Sequence, residues 1–585
     1  MSSPRVWAPF ARRVAVQLDT GRHALARAGG GWWDLDRSLE PGADYAFSLD
    51  GGPLLPDPRA PHLPHGVSGP ARSVDHERFA WSDAGWQPPP LASGVVYEMH
   101  VGTFSPSGTF EGAIERLEAL VELGVTHLEL MPVASFAGDR GWGYDGVGLF
   151  APHEAYGGPD GLKRLVDAAH ARGLAVLLDV VYNHLGPSGN YLSRFGPYFT
   201  DRYHTPWGDA PNLDGPGSDE VRRFFCDNAL QWLRDYHIDG LRIDAVHALL
   251  DHSPVHLLAE LRDEVDVLAA VTGRHRVLIA ESDLNDPRVV APTELGGFGM
   301  DAQWNDDFHH ALHAVLTGER SGYYADFGRL AQLAKAMGSG FVYDGCFSPH
   351  RRRRHGRTAN GVNGWRFVVY MQNHDQVGNR PGGERATQLL TPPKLMVAAG
   401  LVLLSPFVPQ LFQGEEWGAS SPFLYFTSHA DPELVRAVRE GRRRVCAAQG
   451  WSASDPPDPQ EPTSFERSRL DWSEREREPH ATLLEWHRRL IRLRQTWPEL
   501  RDGRLDRVGV RFDEEERWLT LERGRLRIAC NLGARPRVVP VDGGEVLVLV
   551  IASNPDVRIG SGEVRLPPES LAVLATAPEA SHEPG

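Results

Sequence analysis

Cysteine is scarce in this chain. Its 585 residues include four, at Cys226, Cys346, Cys446 and Cys530, and each stands alone. No two have the spacing of a metal site or a redox pair, which excludes cysteine-based chemistry of either kind. They read as buried free thiols in a reducing compartment. Long apolar runs are missing too. The longest, "LMVAAGLVLL" from Leu395 to Leu404, is followed by Pro406 and Pro409, and it falls short of the roughly 20 residues that a bilayer requires. It reads as a buried helix. The opening "MSSPRVWAPFARRVAVQL" lacks the apolar centre of a signal peptide, so a cytoplasmic location is expected. Positive charge is also in deficit. Lys and Arg number 61 against 77 Asp and Glu, a net charge of -16, which argues against nucleic acid and anionic membranes as partners. Two short basic runs, "HRRRRHGR" (His350–Arg357) and "GRRRV" (Gly441–Val445), are expected to be solvated loop or helix faces.

The chain is 41% hydrophobic and 24% charged, as ordinary globular proteins are. Sixteen Trp, fourteen Tyr and twenty-three Phe are spread along it. Aromatic faces suit sugar rings, but abundance alone does not show that use.

Residues 1–92 are rich in Gly, Pro and short alternating runs such as "RRVAVQLD", "GGGWWDLD" and "DYAFSLDG". They predict a small β-sandwich, closed by the linker "WQPPPLASG". Over 93–500 the pattern becomes strand–helix alternation. Eight strands are expected, beginning near Val95, Val125, Ala175, Gly240, Arg276, Asp301, Phe367 and Val408, the sixth being poorly marked. Segments such as "FEGAIERLEALVELG" and "GLKRLVDAAHARG" read as helices stopped at glycine. Eight such units predict an α/β fold, a (β/α)₈ TIM barrel, with an irregular insertion at about 307–365. Residues 501–585 return to β patterning and predict a C-terminal β-domain, ending in the frayed tail "APEASHEPG".

Barrel chemistry sits at the carboxyl ends of the strands. There the third strand carries Asp179, Asn183 and His184, and the fourth Arg242, Asp244 and His247. The fifth ends in Glu281, Ser282 and Asp283, and the seventh in Asn373, His374 and Asp375. Two carboxyls across a small gap are what glycosidic cleavage needs, one as acid and one as nucleophile. Arg242, two residues before Asp244 on the same face, is expected to keep Asp244 ionised. Glu281 follows the apolar run "VLIA" and is expected to be raised into the range of a general acid. Taken singly, these features also read structurally: an Arg–Asp salt bridge, a helix-capping Glu, a core Tyr144 in "GWGYDG". Their recurrence on one rim leaves a glycosidase and a structural reading both open.

In sequence order, "DVVYNH", "GLRIDAVHAL", "LIAES" and "MQNHDQVGN" resemble the four conserved blocks of the α-amylase superfamily, glycoside hydrolase family 13. The resemblance covers essentially the whole chain. The front part is similar to the immunoglobulin-like β-sandwich of branching enzymes, and the end to the family's C-terminal β-domain. "VVYEMHVGTFSPSGTFEGAI" and the stretch from Gly141 to Leu192 resemble glycogen branching enzymes as well, whereas "GEEWGASSPFLYFTSH" (Gly414–His429) is more similar to the family's trehalose-releasing hydrolases.

The resemblance implies Asp244 as nucleophile, Glu281 as acid and then base, and Asp375 as the group that binds hydroxyls and distorts the ring. It implies Tyr144 stacking under the sugar, His184 and His374 bonding its hydroxyls, and Arg242 orienting Asp244. It also implies retention, and cleavage of the α-1,4 bond next to the terminal trehalose of maltooligosyl trehalose, after a maltooligosyl trehalose synthase has acted. A 1,4-α-glucan branching enzyme is the alternative, and a non-catalytic glycan-binding protein a remote one. In place of the Lys-His pair that many α-amylases carry after the nucleophile, this chain has Ala245, Val246 and His247, so the leaving-side grip differs, with His247 still available. Many amylases bind calcium through the residue matching Asn183. No full oxygen-ligand set is identifiable here, so no metal and no cofactor is expected.

Overall fold

The computed structural model describes residues 4–451, 455–541 and 546–576. Eight parallel strands close a barrel: β1 (Val96–Met99), β2 (His127–Leu130), β3 (Ala175–Val180), β4 (Gly240–Ile243), β5 (Val277–Ala280), β6 (Ala302–Trp304), β7 (Phe367–Tyr370) and β8 (Val408–Phe412). All eight expected runs are barrel strands, including the poorly marked sixth. In-plane partners such as Asp179 with Arg242, and Arg242 with Ile279, set the register. Laterally paired residues point to the same side of the sheet. Val96, Leu177, Val277, Trp304, Val368, Tyr370 and Val408 pack together in the filled barrel interior, with Ile279 above them at the level of Arg242. In that higher layer the same inward positions carry Glu98, Asp179 and Arg242, so the core turns polar just below the rim.

Local sequence explains the helices. In α1 (Gly158–His170) one face is buried through Leu162, Leu165, Val166 and Ala169, and a Pro occupies its first turn, where its missing N–H is no loss. The stretch "FEGAIERLEALVELG" forms two short helices, Phe110–Ile114 and Leu117–Leu123, in place of one; the second ends at Gly124 with φ 95°. The apolar run near Leu395 forms α2 (Pro392–Leu403), which is buried as expected. Where an irregular insertion was expected, the chain builds α3 (Asp306–Thr317), a second helix (Leu330–Ser339) and a hairpin (Asp344–Ser348 with Arg353–Gly356). A further hairpin, Phe199–Thr205 with Gly208–Pro211, rises after β3.

Before the barrel lie a three-stranded sheet (Arg5–Trp7, Trp32–Asp34, Ala26–Arg27) and a five-stranded one centred on Val14–Leu18 and Asp44–Leu49. After it lie a five-stranded antiparallel sheet, with Leu526–Asn531 and Ser570–Thr576 at its centre, and a three-stranded one. The tail "APEASHEPG" lies outside the described residues.

Two expectations are corrected. Cys226, Cys446 and Cys530 are buried free thiols, but Cys346 is exposed. The basic runs are only partly solvated. Arg351 reaches Asp283 at 3.0 Å, and His355 is buried against the Asp283 carbonyl. Arg442 is buried, donating to the carbonyls of Gly378 and Arg380. These arginines fold inward because unpaired backbone carbonyls and a carboxylate await them there.

Candidate active site

At the carboxyl end of the barrel one guanidinium organises three carboxyls. Arg242 is fully buried, and its Nη1 lies 2.6 Å from Asp179 and 2.9 Å from Asp244. Its Nη2 lies 2.8 Å from Glu281. Trp304 of β6 lies under the cation at 4.0 Å, where the face of its ring favours positive charge. A guanidinium suits this role because it is planar, permanently charged and offers several donors in fixed directions. The chain makes a tight turn directly after Asp244: Ala245 is left-handed at φ 40°, a costly conformation for a residue with a side chain. That turn directs the Ala245 N–H to Glu281 Oε2 at 2.8 Å, tying the end of β4 to the end of β5.

The remaining groups close round this centre. Tyr144 donates to Asp179 at 2.6 Å, and its ring stacks on His374 at 5.1 Å. The ring and backbone N–H of His374 both bond Glu98, at 2.5 and 3.0 Å, and its Nε2 lies 3.6 Å from Asp375. Asn373 caps the short helix that begins at His374, accepting from the Asp375 N–H. His184 donates from Nε2 to the Tyr144 carbonyl at 3.0 Å, leaving its Nδ1 without a partner. His247 Nδ1 is likewise buried without one. The fold thus gathers Tyr144, His184, Arg242, Asp244, His247, Glu281, His374 and Asp375 at one rim, from residues far apart in sequence. Among the described residues, no three His, Cys, Asp or Glu side chains converge as a metal site would require.

The electrostatics differ from the expectation. Burial and the neighbouring Glu281 hold Asp244 well above the ordinary carboxylate range, against the pull of Arg242. Burial acts on Glu281 as well, but Arg242 and the Ala245 N–H outweigh it and keep its pKa low. In the unliganded site burial and the proximity of the two carboxyls leave one proton shared between Asp244 and Glu281, with Arg242 and the Ala245 N–H favouring the charge on Glu281. The apolar run before Glu281 could not reveal this, because the decisive donors come from β4. His374 is raised to about 9: burial works against its charge, but Asp375 and Glu98 favour it more strongly, so it is cationic at neutral pH.

The alpha-amylase catalytic-domain family matches residues 75–207, and a C-terminal domain of unknown function matches residues 503–573. Malto-oligosyltrehalose trehalohydrolase of Mycobacterium tuberculosis is 49% identical over 581 residues, covering 98% of this chain and 99% of its own length. The enzyme of the same name from Rhizobium sp. is 47% identical over 579 residues, covering 97% of each chain. The chain belongs to the malto-oligosyltrehalose trehalohydrolase family. For this trehalohydrolase-family chain, the crystal structure of an alpha-amylase candidate from Salmonella typhimurium superposes with a TM-score of 0.90 at 39% identity, covering 98% of this chain and 97% of that one. A branching enzyme of Vibrio parahaemolyticus is 34% identical and matches only 52% of this chain.

Within the trehalohydrolase-family site, several residues went unnoticed in the sequence. Trp207, at the tip of the hairpin after β3, is 48% exposed and lies flat on His184 at 4.7 Å. Asp306, His310 and Tyr323 line a pocket with Asp375, Asp283 and Arg351. Their only sequence signals were an acidic residue after the weakest strand and histidines in a stretch read as irregular.

Proposed function

We propose that the chain is a retaining glycoside hydrolase that cuts the α-1,4 bond next to the terminal trehalose of maltooligosyl trehalose, releasing trehalose. The observation that carries the chemistry is the guanidinium shared by Asp244 and Glu281. It holds the two carboxyls 2.9 and 2.8 Å from its nitrogens, an arrangement compatible with the separation of about 5–5.5 Å of a retaining pair. Asp244 attacks the anomeric carbon and forms a glucosyl ester. Glu281 gives its proton to the departing oxygen, then takes one from the water that hydrolyses the ester.

This sequence requires the proton shared by the pair to be on Glu281 when substrate is bound. Positive charge developing at the sugar favours ionised Asp244, and the basic leaving oxygen favours a protonated Glu281. Asp375 and cationic His374 hold sugar hydroxyls, Tyr144 supports the ring, His184 offers its free Nδ1, Arg242 orients Asp244, and His247 serves the leaving side. The substrate is argued from the full-length trehalohydrolase relatives, against a branching-enzyme match of about half the chain.

We also propose domain limits at 1–92, 93–500 and 501–585, and action in the cytoplasm after a maltooligosyl trehalose synthase, without nucleic acid or membrane as partner. The charge of -16 supports this, and among the described residues no helix is long and apolar enough to cross a membrane. The test is incubation with maltotriosyl trehalose and chromatography of the products, with amylose alongside. Free trehalose, with little change in amylose, is the expected result. New α-1,6 branches without trehalose would make the chain a branching enzyme, and inertness toward both would return it to a glycan-binding role.

A further inference from the structure

A pocket of about 270 Å³ has Asp283, Asp306, His310, Tyr323, Arg351 and Asp375 in its wall. Asp283 stands two residues after Glu281. Asp375 joins the pocket to the site described above, while Glu281 acts electrostatically on Asp306 and His247 on Asp283, so the pocket adjoins the acid and the histidine assigned to the leaving side. Two of its wall residues have no role in the chemistry described above. Asp306 is the first residue of α3, directly after β6. Its Oδ1 accepts from the Tyr370 hydroxyl at 2.7 Å and from Gln376 Nε2 at 3.3 Å. Its Oδ2 has no protein partner among the described residues. One turn along the same helix, His310 is only 8% exposed and stacks on Tyr323 at 4.9 Å. Neither of its ring nitrogens has a protein hydrogen bond among the described residues.

Neither Asp306 Oδ2 nor the His310 ring nitrogens are sealed off from the pocket, so two unpaired, fixed polar groups face the same space and offer partners to a ligand rich in hydroxyls. A carboxyl pinned by one oxygen and a stacked imidazole with both nitrogens free present directional partners that cannot swing away. We propose that Asp306 and His310 are the residues that recognise the departing trehalose unit, bonding its hydroxyls as it leaves Glu281. This rests on the trehalose-releasing reading above. The ionisation of Asp306 supports it. Burial, together with Glu281, Asp375 and Asp283, raises this carboxyl to about 7, so near neutrality it can donate to a hydroxyl or accept from one. Burial holds His310 near 3, so its ring stays neutral, as an uncharged sugar demands.

Free trehalose as a product inhibitor, and the ratio of kcat/KM for maltotriosyl trehalose to that for maltopentaose, test this. Asp306→Ala and His310→Ala are each expected to weaken inhibition by trehalose about 10- to 100-fold, the worth of one or two buried hydrogen bonds, and to lower the ratio correspondingly. Asp306→Asn, which keeps the shape and the hydrogen-bonding capacity, serves if the alanine variant fails to fold. The wild type is expected to change in trehalose inhibition between pH 6 and 8, and Asp306→Asn to abolish that change. Inhibition, ratio and pH dependence all within twofold of wild type would overturn the inference while leaving the trehalose-releasing reading intact. A wild type that releases no trehalose would overturn that reading and the inference with it.

Discussion

Burial of Asp244 works against its ionised form, and so does the second carboxyl of Glu281 beside it. The pair cannot carry two charges there cheaply, so it holds one proton between its members. Because Asp244 titrates higher in the fold than in the unfolded chain, its ionisation destabilises the protein: stability is greatest below the unfolded value and declines as pH rises past it. Asp244→Asn removes that burden along with the nucleophile. It is expected to cut turnover by about 10⁴-fold or more, while melting at or above the wild-type temperature at pH 7. Glu281→Gln should lose about 10²- to 10⁴-fold, the usual share of a general acid and base. Initial rates and thermal melts on the same samples decide the matter. An Asp244→Asn protein that melts well below wild type would mean that this carboxyl holds the fold together, and unchanged rates would remove it from the chemistry.

The elements carry information of a different kind. Strand runs were legible because a buried parallel strand must be a short apolar stretch between turn residues, and each of the eight expected runs forms one. The rim groups Asp179, Asp244, Glu281 and Asp375 were legible because they interrupt or end such runs. The loops were not. Nothing local tells Arg351 to fold back on Asp283, or Asp306 to face a pocket rather than cap a helix, since both outcomes are set by partners tens of residues away. The same holds for the opposite end of the barrel. There His170 of α1 lies between two buried carboxylates, 3.0 Å from Asp83 in the linker before β1 and 2.8 Å from Asp239 just before β4, with Trp86 stacked on its ring at 4.5 Å. His237 and Arg274 also reach Asp83, at 2.8 and 2.9 Å. Despite burial, the two carboxylates raise His170, and hydrogen bonds from His170, His237 and Arg274 lower Asp83. The His170 contribution is complete below its unfolded pKa of about 6.5 and fades as pH climbs through the raised folded value. That of Asp83 is complete above its unfolded value of about 4 and fades in acid. The melting-temperature gap between wild type and His170→Gln should therefore be widest at mildly acidic pH and shrink on going alkaline. A gap that grows with pH would show that His170 is buried neutral.

At the scale of the whole molecule, the apolar core does not stop at the barrel. One continuous cluster runs from Trp7 and Phe47 in the first sheets, through Leu130 and Leu401, to Ile528 and Leu571 in the last sheet. Buried guanidinium groups reinforce the second junction. Arg523 of the C-terminal sheet donates to the Leu404 carbonyl after α2 and to the carbonyls of Glu499 and Asp502. Arg494 donates to those of Leu403, Ser405 and Phe407. The Leu403, Leu404, Ser405 and Phe407 carbonyls lie at the end of α2 and in the turn to β8: Arg494, in the helix His480–Thr496, serves three of them, and the C-terminal sheet supplies the donor to Leu404 through Arg523. Composition changes along the chain suggested separable pieces, but patterning within a segment cannot show which apolar face will be shared. The intact protein is accordingly expected to unfold in a single calorimetric transition. Arg523→Leu, which leaves the Leu404 and Asp502 carbonyls without this donor at about 1–3 kcal/mol each, should lower that one transition as a whole. Two resolved transitions, or an Arg523→Leu protein that loses only a minor, separate one, would mean that the C-terminal sheet folds on its own and that the barrel does not depend on it.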